Sequence, residues 1–405
     1  MSTRYDYIVA GAGCAGLGLV WKLLTSDLRQ KKILILDPDL KESNDRTWCF
    51  WDTDSPDLPC PPDHSWNKLS LATKTHRGVY PTGAHTYYHL EGSSYYQSIK
   101  KLIHQFPNVE WKQEAVVDFI SRKGEVDVQT TGGTYTGEWA FSSMRTRPEP
   151  APSSEARLQH FKGLFIKTER PVFNEEVVDL MDFRIPQRGD VRFFYLLPFS
   201  ETEALIEFTV FSTSVWDDRE YQTFLDEYLK SLKDLGSGEI TVERTEKGVI
   251  PMSTARYEVW RQPRVLNMGL SGGSARPGTG YAFQFIQQRN KEIVASLENN
   301  GVPYVGKTHQ PRHEFYDALL LRVMHREPDM VAAIFSRLFR KHPTSRVLSF
   351  LSEETSLFTE IYIMASLQWP PFLRALASKL LYVPVYRSEP TVVSQKRSIL
   401  HAHRP

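Results

Sequence analysis

An α/β fold, with a Rossmann-like dinucleotide-binding domain, an antiparallel-sheet domain and a helical C-terminal part, is predicted by three observations. A strand, a glycine turn and a helix follow one another at the N-terminus; residues 161–250 contain strand-like runs of aromatic and β-branched residues; from Glu314 onward apolar residues recur every three or four positions. The chain has 405 residues, enough for two to three domains at ~150 residues each. Its 49 Lys and Arg against 48 Asp and Glu leave a net charge of +1, which provides no long-range field to gather nucleic acid. A charged fraction of 24% and a hydrophobic fraction of 41% describe an ordinary globular chain, although aromatics reach 12%. Cys14, Cys49 and Cys60 are an odd number without C-x-x-C spacing, so no disulfide framework or zinc site is expected and a reducing compartment fits. The chain shows no leader pattern and no apolar run near the ~18 residues that span a bilayer. A cytoplasmic protein is expected, with any membrane contact peripheral.

Residues 5–10 read as a short apolar strand, Gly11-Ala-Gly-Cys-Ala-Gly16 as a turn, and residues 17–28 as a helix with apolar residues at Leu17, Val20, Trp21 and Leu24. A second strand over 32–37 ends on Asp37, 21 residues beyond Gly16. Glycines at this spacing let backbone approach a pyrophosphate at the helix N-terminus, and an acid ending the second strand bonds ribose hydroxyls. A G-x-G-x-x-G turn alone is weak evidence; its flanking strand and helix and the acid at this distance point to a dinucleotide, FAD or NAD. Asp45-Arg-Thr-Trp-Cys-Phe-Trp51 follows, and its aromatic residues around Arg46 suit either core packing or the wall of a flat apolar ligand.

Residues 69–80 suggest a strand pair and 93–106 a helix. Residues 109–142, broken by Lys123-Gly124 and Gly132-Gly133, read as a β-meander. Arg147-Pro-Glu-Pro-Ala-Pro-Ser-Ser154 is the clearest linker. Within 161–250, residues 219–233 are helical. The glycine-rich run at 269–280 returns the chain to the first domain, and 282–299 is a helix. The resulting organisation is a dinucleotide-binding domain over 1–150, an antiparallel substrate domain over 151–260, a return segment over 261–310 and helices over 311–405. Residues 369–405 carry six cations against one acid, Glu389, beside Trp369-Pro-Pro-Phe372 and Leu380-Leu-Tyr-Val383. This suits either a solvated basic tail or a surface facing anionic lipid.

The glycine turn followed by D-R-T-W-C-F-W resembles the bacterial type of lycopene β-cyclase, a flavoprotein family of carotenoid synthesis. Leu180-Met-Asp-Phe-Arg184, Phe193-Phe-Tyr-Leu-Leu-Pro-Phe-Ser200, Ala204-Leu-Ile-Glu-Phe-Thr-Val-Phe-Ser212, Gly248-Val-Ile-Pro-Met-Ser253, Gly272-Gly-Ser-Ala-Arg-Pro-Gly-Thr-Gly-Tyr-Ala-Phe283 and Phe350-Leu-Ser-Glu-Glu-Thr-Ser-Leu357 resemble family patterns in the same order. The resemblance implies FAD in its reduced form, with NAD(P)H as reductant, and lycopene or a related acyclic carotenoid as substrate. It also implies a peripheral position on the inner face of a membrane. As FAD contacts it implies Gly11, Ala12, Gly13, Cys14, Ala15, Gly16, Asp37, Arg46, Gly272, Gly273 and Gly280. The other readings are a flavin monooxygenase or polyprenyl reductase on the same fold, for which Asn267-Met-Gly-Leu-Ser271 lacks the Gly-Asp pair such enzymes carry, or a non-catalytic lipid-binding protein.

Cyclising a polyene end is redox-neutral and needs an acid that protonates a carbon–carbon double bond. A carboxyl in an apolar setting stays protonated at neutral pH. Glu207 lies in an otherwise apolar strand; simple alternation would turn it to water, and the resemblance makes it the essential acid. Glu353 and Glu354 follow an Arg/Lys/His stretch rather than a P-F-S segment and read as a helix start, their acids near its N-terminal dipole. His85 and His89 have i, i+4 spacing, but nearby prolines and glycines argue against a metal-binding helix; they read as satisfied or exposed, and no metal is expected.

Overall fold

The computed structural model describes residues 4–144 and 155–381. The Pro-rich linker therefore lies outside the described residues, as does the basic tail beyond 381.

The N-terminal stretch forms β1 (Arg4–Ala10), α1 (Cys14–Leu24), β2 (Ile33–Leu36), β3 (Thr47–Asp52), β4 (His64–Trp66), β5 (Lys68–Ala72), β6 (Arg77–Pro81), β7 (Thr86–Glu91) and α2 (Gly92–Ile103). β8 (Val109–Lys112), β9 (Val116–Arg122), β10 (Glu125–Thr130) and β11 (Thr134–Ser142) follow. Next come β12 (Arg157–Thr168), β13 (Val178–Asp182), β14 (Val191–Pro198), β15 (Glu203–Ser212), α3 (Asp218–Asp234) and β16 (Ile240–Met252). β17 (Trp260–Gln262), β18 (Val265–Asn267) and α4 (Phe283–Asn300) lead to α5 (Pro311–Arg326), α6 (Asp329–Lys341), α7 (Thr344–Leu351), α8 (Leu357–Ser366) and α9 (Trp369–Leu381). The α/β class is thus observed, with a parallel nucleotide-type sheet, an antiparallel sheet and C-terminal helices.

The first sheet runs β17-β18-β11-β1-β2-β8, parallel from β18 to β8, with β9 and β10 attached to β11. Apolar residues on both faces of β1 and β2 explain why these strands are central: all of β2 is buried. The meander predicted over 109–142 is narrower than expected. Only β9 to β11 are antiparallel; β8 follows the α2 crossover and pairs parallel with β2, Ile33 against Val109. α1 stops at Leu24 rather than Leu28, because Thr25 Oγ1 bonds back to the Trp21 carbonyl at 3.0 Å and Ser26 Oγ to that of Leu23 at 2.9 Å.

The second sheet has the order β16-β12-β15-β14-β13-β5-β6, with only the β13–β5 pair parallel. The strand pair of residues 69–80 therefore extends this sheet rather than the first. One face packs on α3 through Ile206, Phe208, Val210, Tyr221 and Leu225. The other carries Leu205 and Phe211 into a core shared with Trp51, Trp66, Tyr87 and the C-terminal helices. A third, three-stranded sheet, β3-β7-β4, sends Phe50 and Leu90 into one core and Trp51 and Tyr87 into the other.

Candidate active site

β15 is buried along nearly its whole length on both faces, so alternation does not turn Glu207 to water; the residue is 9% exposed. In register, Tyr195 of β14, Glu207 of β15, Gly163 of β12 and Glu246 of β16 form one row across the sheet. Paired residues share a face, so the two glutamates stand on the same side with only a glycine between them. A side chain at Gly163 would strike Leu205 Cδ1 at 2.9 Å and come within 3.7 Å of Glu207 Cβ. Thr209 Oγ1 donates to Glu207 Oε1 at 2.6 Å, and no ion pair to this carboxyl is found among the described residues. Burial pushes the Glu207 carboxyl up to about 8, opposed by the Thr209 bond and reinforced by Glu246.

Glu246 was not singled out from the sequence. It is also buried, but Thr47 holds it through its backbone N–H to Oε1 at 3.2 Å and its hydroxyl to Oε2 at 2.6 Å, with Arg244 Nη1 at 4.0 Å. Burial raises this carboxyl too, and the Thr47 bonds and Arg244 pull against the rise.

The aromatic motif on β3 serves both uses its composition allowed. Trp48 and Phe50 stack on Phe283 at 5.7 and 4.7 Å between ring centroids, in the core that β1, β2, α1 and α4 share. Trp51, one strand position on, packs with Tyr87 and Tyr281 on the Glu207 side. There the hydroxyls of Tyr195 and Tyr87 meet at 2.8 Å, those of Tyr87 and Tyr281 at 3.5 Å, and Cys49 lies against Tyr195. Burial raises all three phenols and pushes the Cys49 thiol up to about 12, so these groups are neutral. The result is a buried acid walled by neutral aromatic side chains.

A second feature lies at the carboxyl ends of β1, β11 and β18. Gly11 has φ +103°, and a Cβ on Gly16 would fall into the Gly11 carbonyl, so both are fixed by the turn itself. Gly13, the residue before α1, differs: a Cβ there meets nothing within 4 Å. Ala12 N–H donates to Asp37 Oδ2 at 2.6 Å, which fixes the acid beside the loop. Cys14 and Ala15 are buried in the first turn of α1. Buried oxygens of Ser142, Asn267 and Ser274, at the ends of β11 and β18 and in the turn after them, have no hydrogen-bond partner among the described residues. An open glycine cradle at a helix N-terminus, a fixed carboxylate and unsatisfied oxygens at the ends of parallel strands fit a dinucleotide such as FAD.

The remaining residues expected at the cofactor lie further along. Arg46 is exposed just before β3 and turns its guanidinium to the Asp45 carbonyl at 2.7 Å. Gly272 packs on the Asn267 carbonyl, Gly273 takes φ +76° against Tyr257, and Gly280 takes φ +74° against Gln159 of β12. These three glycines thus have protein neighbours that require them, and Gly280 brings the loop onto the second sheet. In the same loop the fully buried Arg276 pairs with Asp317 of α5 at 3.2 Å and donates to the Phe350 carbonyl at 2.8 Å, pinning loop to helices. Sequence reading passed over this pair.

Glu353 and Glu354 do not begin a helix. They follow α7, and α8 starts later behind its cap Ser356. Glu353 instead accepts from the Gln310 N–H at 2.9 Å and bonds His309 Nδ1 at 2.7 Å, so it sits at the N-terminus of α5, a partner distant in sequence. His85 and His89 are not exposed: both are buried, and His89 lies against Trp66 and Phe199 with neither ring nitrogen hydrogen-bonded among the described residues. Burial holds the His89 imidazole down to about 4, in its neutral form.

A family model described as lycopene cyclase protein matches residues 6–377, from β1 into α9. The chain belongs to the lycopene cyclase family. The match includes the glycine turn, the β3 motif and the row bearing Glu207. A lycopene β-cyclase of Paracoccus sp. (strain N81106 / MBIC 01143) is 27% identical over 303 residues, 72% of this chain and 74% of that protein. Among solved structures, a geranylgeranyl bacteriochlorophyll reductase-like protein of Thermoplasma acidophilum has a TM-score of 0.56 at 11% identity, covering 94% of this chain and 97% of its own. A flavoprotein/dehydrogenase of Cytophaga hutchinsonii has a TM-score of 0.55 at 11% identity, covering 90% and 99%. The flavin-dependent monooxygenase PieE, solved with FAD and substrate, also scores 0.55, at 13% identity over 93% and 72%. This lycopene cyclase family member therefore has a flavoprotein fold.

Proposed function

We propose that this chain is a lycopene β-cyclase, an isomerase of the intramolecular lyase type. It closes the acyclic ends of lycopene into β-ionone rings, giving γ-carotene and then β-carotene. The observation that carries the reading is the buried, uncharged-side placement of Glu207 among neutral aromatic rings. Glu207 donates its proton to the terminal double bond; the electron pair of the next double bond along the chain then closes a carbon–carbon bond onto the cation, which completes a six-membered ring and leaves the positive charge on the ring carbon beside the new bond. Loss of a ring proton balances the proton gained, so formula and oxidation state are unchanged. Trp51, Tyr87, Tyr195 and Tyr281 exclude water and offer π faces that favour a passing cation. Thr209 orients the acid.

Gly11, Ala12, Gly13, Cys14, Ala15, Gly16 and Asp37 would hold FAD, with Gly272, Gly273 and Gly280 lining its approach to the second sheet. When bound in reduced form, maintained by NAD(P)H, the flavin supplies an electron-rich ring that favours positive charge without net redox change.

The oily substrate calls for a lipid surface, and α8 supports one. The helix is built inside out: Glu360, fully buried, bonds Arg312, His313 and Tyr316, whereas Leu357, Phe358, Ile361 and Tyr362 face outward, Phe358 at 86% exposure. Trp369 and Leu373 of α9 are likewise exposed, and the Arg346 guanidinium lies 5.4 Å from the Tyr362 ring. Aromatic and aliphatic side chains with a cation beside them suit a bilayer with anionic headgroups. Among the described residues no helix is long and apolar enough to cross a membrane. The basic segment from 369 begins on α9 and otherwise lies outside the described residues.

Pigment chromatography of lycopene-accumulating cells tests the reading. Cells given this chain should convert lycopene to β-carotene, and unchanged lycopene in cells that accumulate the folded protein would refute it.

A further inference from the structure

Of the groups that face Glu207, one differs in kind from the rest. Cys49 comes from β3, Tyr87 from β7, Tyr195 from β14 and Tyr281 from the loop before α4; all are neutral. On β12 the residue opposite Glu207 is Gly163, with no titratable group. From β16 comes Glu246, backed by Arg244 and, further out, Arg46.

We infer that Glu246 is a positioning residue for Glu207: held as a carboxylate by Thr47 and Arg244, it faces the acid across Gly163 and keeps it protonated. The inference rests on the cyclase reading above.

The two carboxyls have unlike surroundings. Glu207 accepts one hydroxyl bond, from Thr209, whereas Glu246 accepts both a backbone N–H and a hydroxyl from Thr47 and has a guanidinium nearby. Arg244 is itself fixed, 3.0 Å from the Asn44 carbonyl, 3.2 Å from Glu91 and 3.6 Å from the centre of the Phe165 ring. Burial raises both carboxyls, but bonds to the charged form offset more of that rise at Glu246, so of the two Glu246 is the readier to carry the charge and Glu207 the proton. Gly163 matters because any side chain there would stand between them. Two interstrand spacings separate the strands by about 10 Å, and like charges at that distance inside a protein shift a carboxyl by roughly one pH unit. The β3 motif thereby gains a function for its threonine: it anchors the charge.

The test is the pH profile of cyclisation by the full-length, FAD-loaded protein on dispersed lycopene. The active form carries the proton on Glu207, so activity falls as pH rises. Glu246→Gln should move this alkaline limb roughly one pH unit toward acid, and Glu246→Asp should bring it back toward wild type. An unmoved limb in Glu246→Gln, or loss of activity at every pH, would overturn the inference. If Glu246→Gln does not yield folded protein, Thr47→Val weakens the hold on the charge and should shift the limb in the same direction by less; an unmoved limb there would also overturn it. No cyclisation by the folded, FAD-loaded wild-type chain would instead remove the cyclase reading beneath it, and normal cyclisation by Glu207→Gln the assignment of the acid, so these failures are distinguishable from an unmoved limb.

Discussion

Tyr195 stands directly beside Glu207 in the register of β14 and β15, and its hydroxyl meets that of Tyr87 at 2.8 Å. The acid is thus flanked by a phenol already committed elsewhere, in a sheet whose two faces are both covered. Such surroundings disfavour the carboxylate and leave the carboxylic acid intact near neutral pH.

This has a cost in stability with a definite sign. The Glu207 carboxyl titrates near 4.5 when exposed and at about 8 in the fold, so the native state binds the extra proton between those values. Stability is then full below about 4.5, declines as pH rises through the window and levels off above about 8. Glu207→Gln removes the titration. Denaturant unfolding should find the variant more stable than wild type at pH 9, relative to pH 5, by about 3–5 kcal/mol, and equal differences at both pH values would contradict the assignment.

Two glycines of the first turn, Gly13 and Gly16, should respond differently to substitution. Gly13 has an ordinary φ of −83° and open space at its Cβ, so Gly13→Val should leave the melting temperature nearly unchanged while FAD no longer co-purifies. Gly16→Ala drives a methyl into the Gly11 carbonyl and should cost about 2 kcal/mol or more whether or not flavin is present. Absorbance of bound flavin and thermal melts, read together, check both.

For the outward face of α8, the double substitution Phe358→Ser and Ile361→Ser should lower sedimentation with anionic vesicles at least ten-fold, since each apolar side chain contributes about 1.5–3 kcal/mol on burial. Stability should be untouched, because both side chains already face outward. Unchanged sedimentation would remove α8 from the lipid contact.

Much of this was readable in the chain, for local reasons. Strand, glycine turn, helix and the acid at residue 37 are contiguous features, and the structure sets Asp37 beside the glycine turn, accepting from the Ala12 N–H. Glu207 needed the resemblance, because an isolated glutamate on a strand does not reveal that both faces of its sheet are covered. Glu246 was invisible for another reason. β16 is an edge strand of mixed charged residues, ITVERTEKGVIPM, and only its register against Gly163 and Thr47 distinguishes this glutamate from Glu243 or Lys247. Glu353 was placed at a helix N-terminus, but the helix is α5 and the contact spans 43 residues, which periodicity cannot foresee. Arg276 and Asp317 share that limitation: each lies in a segment whose local pattern predicts only a loop or a helix.

The central claim is that Glu207 supplies the proton that starts cyclisation. Glu207→Gln retains the size of the side chain and an oxygen to accept from Thr209, but has no acidic proton. The most direct measurement is the initial rate of β-ring formation from lycopene by this variant, with bound FAD confirmed in the same preparation. General acid catalysis contributes ~10²–10⁴ in rate, so the account predicts a fall of at least a hundred-fold with flavin retained. A flavin-loaded Glu207→Gln protein that forms β-carotene at the wild-type rate would contradict it.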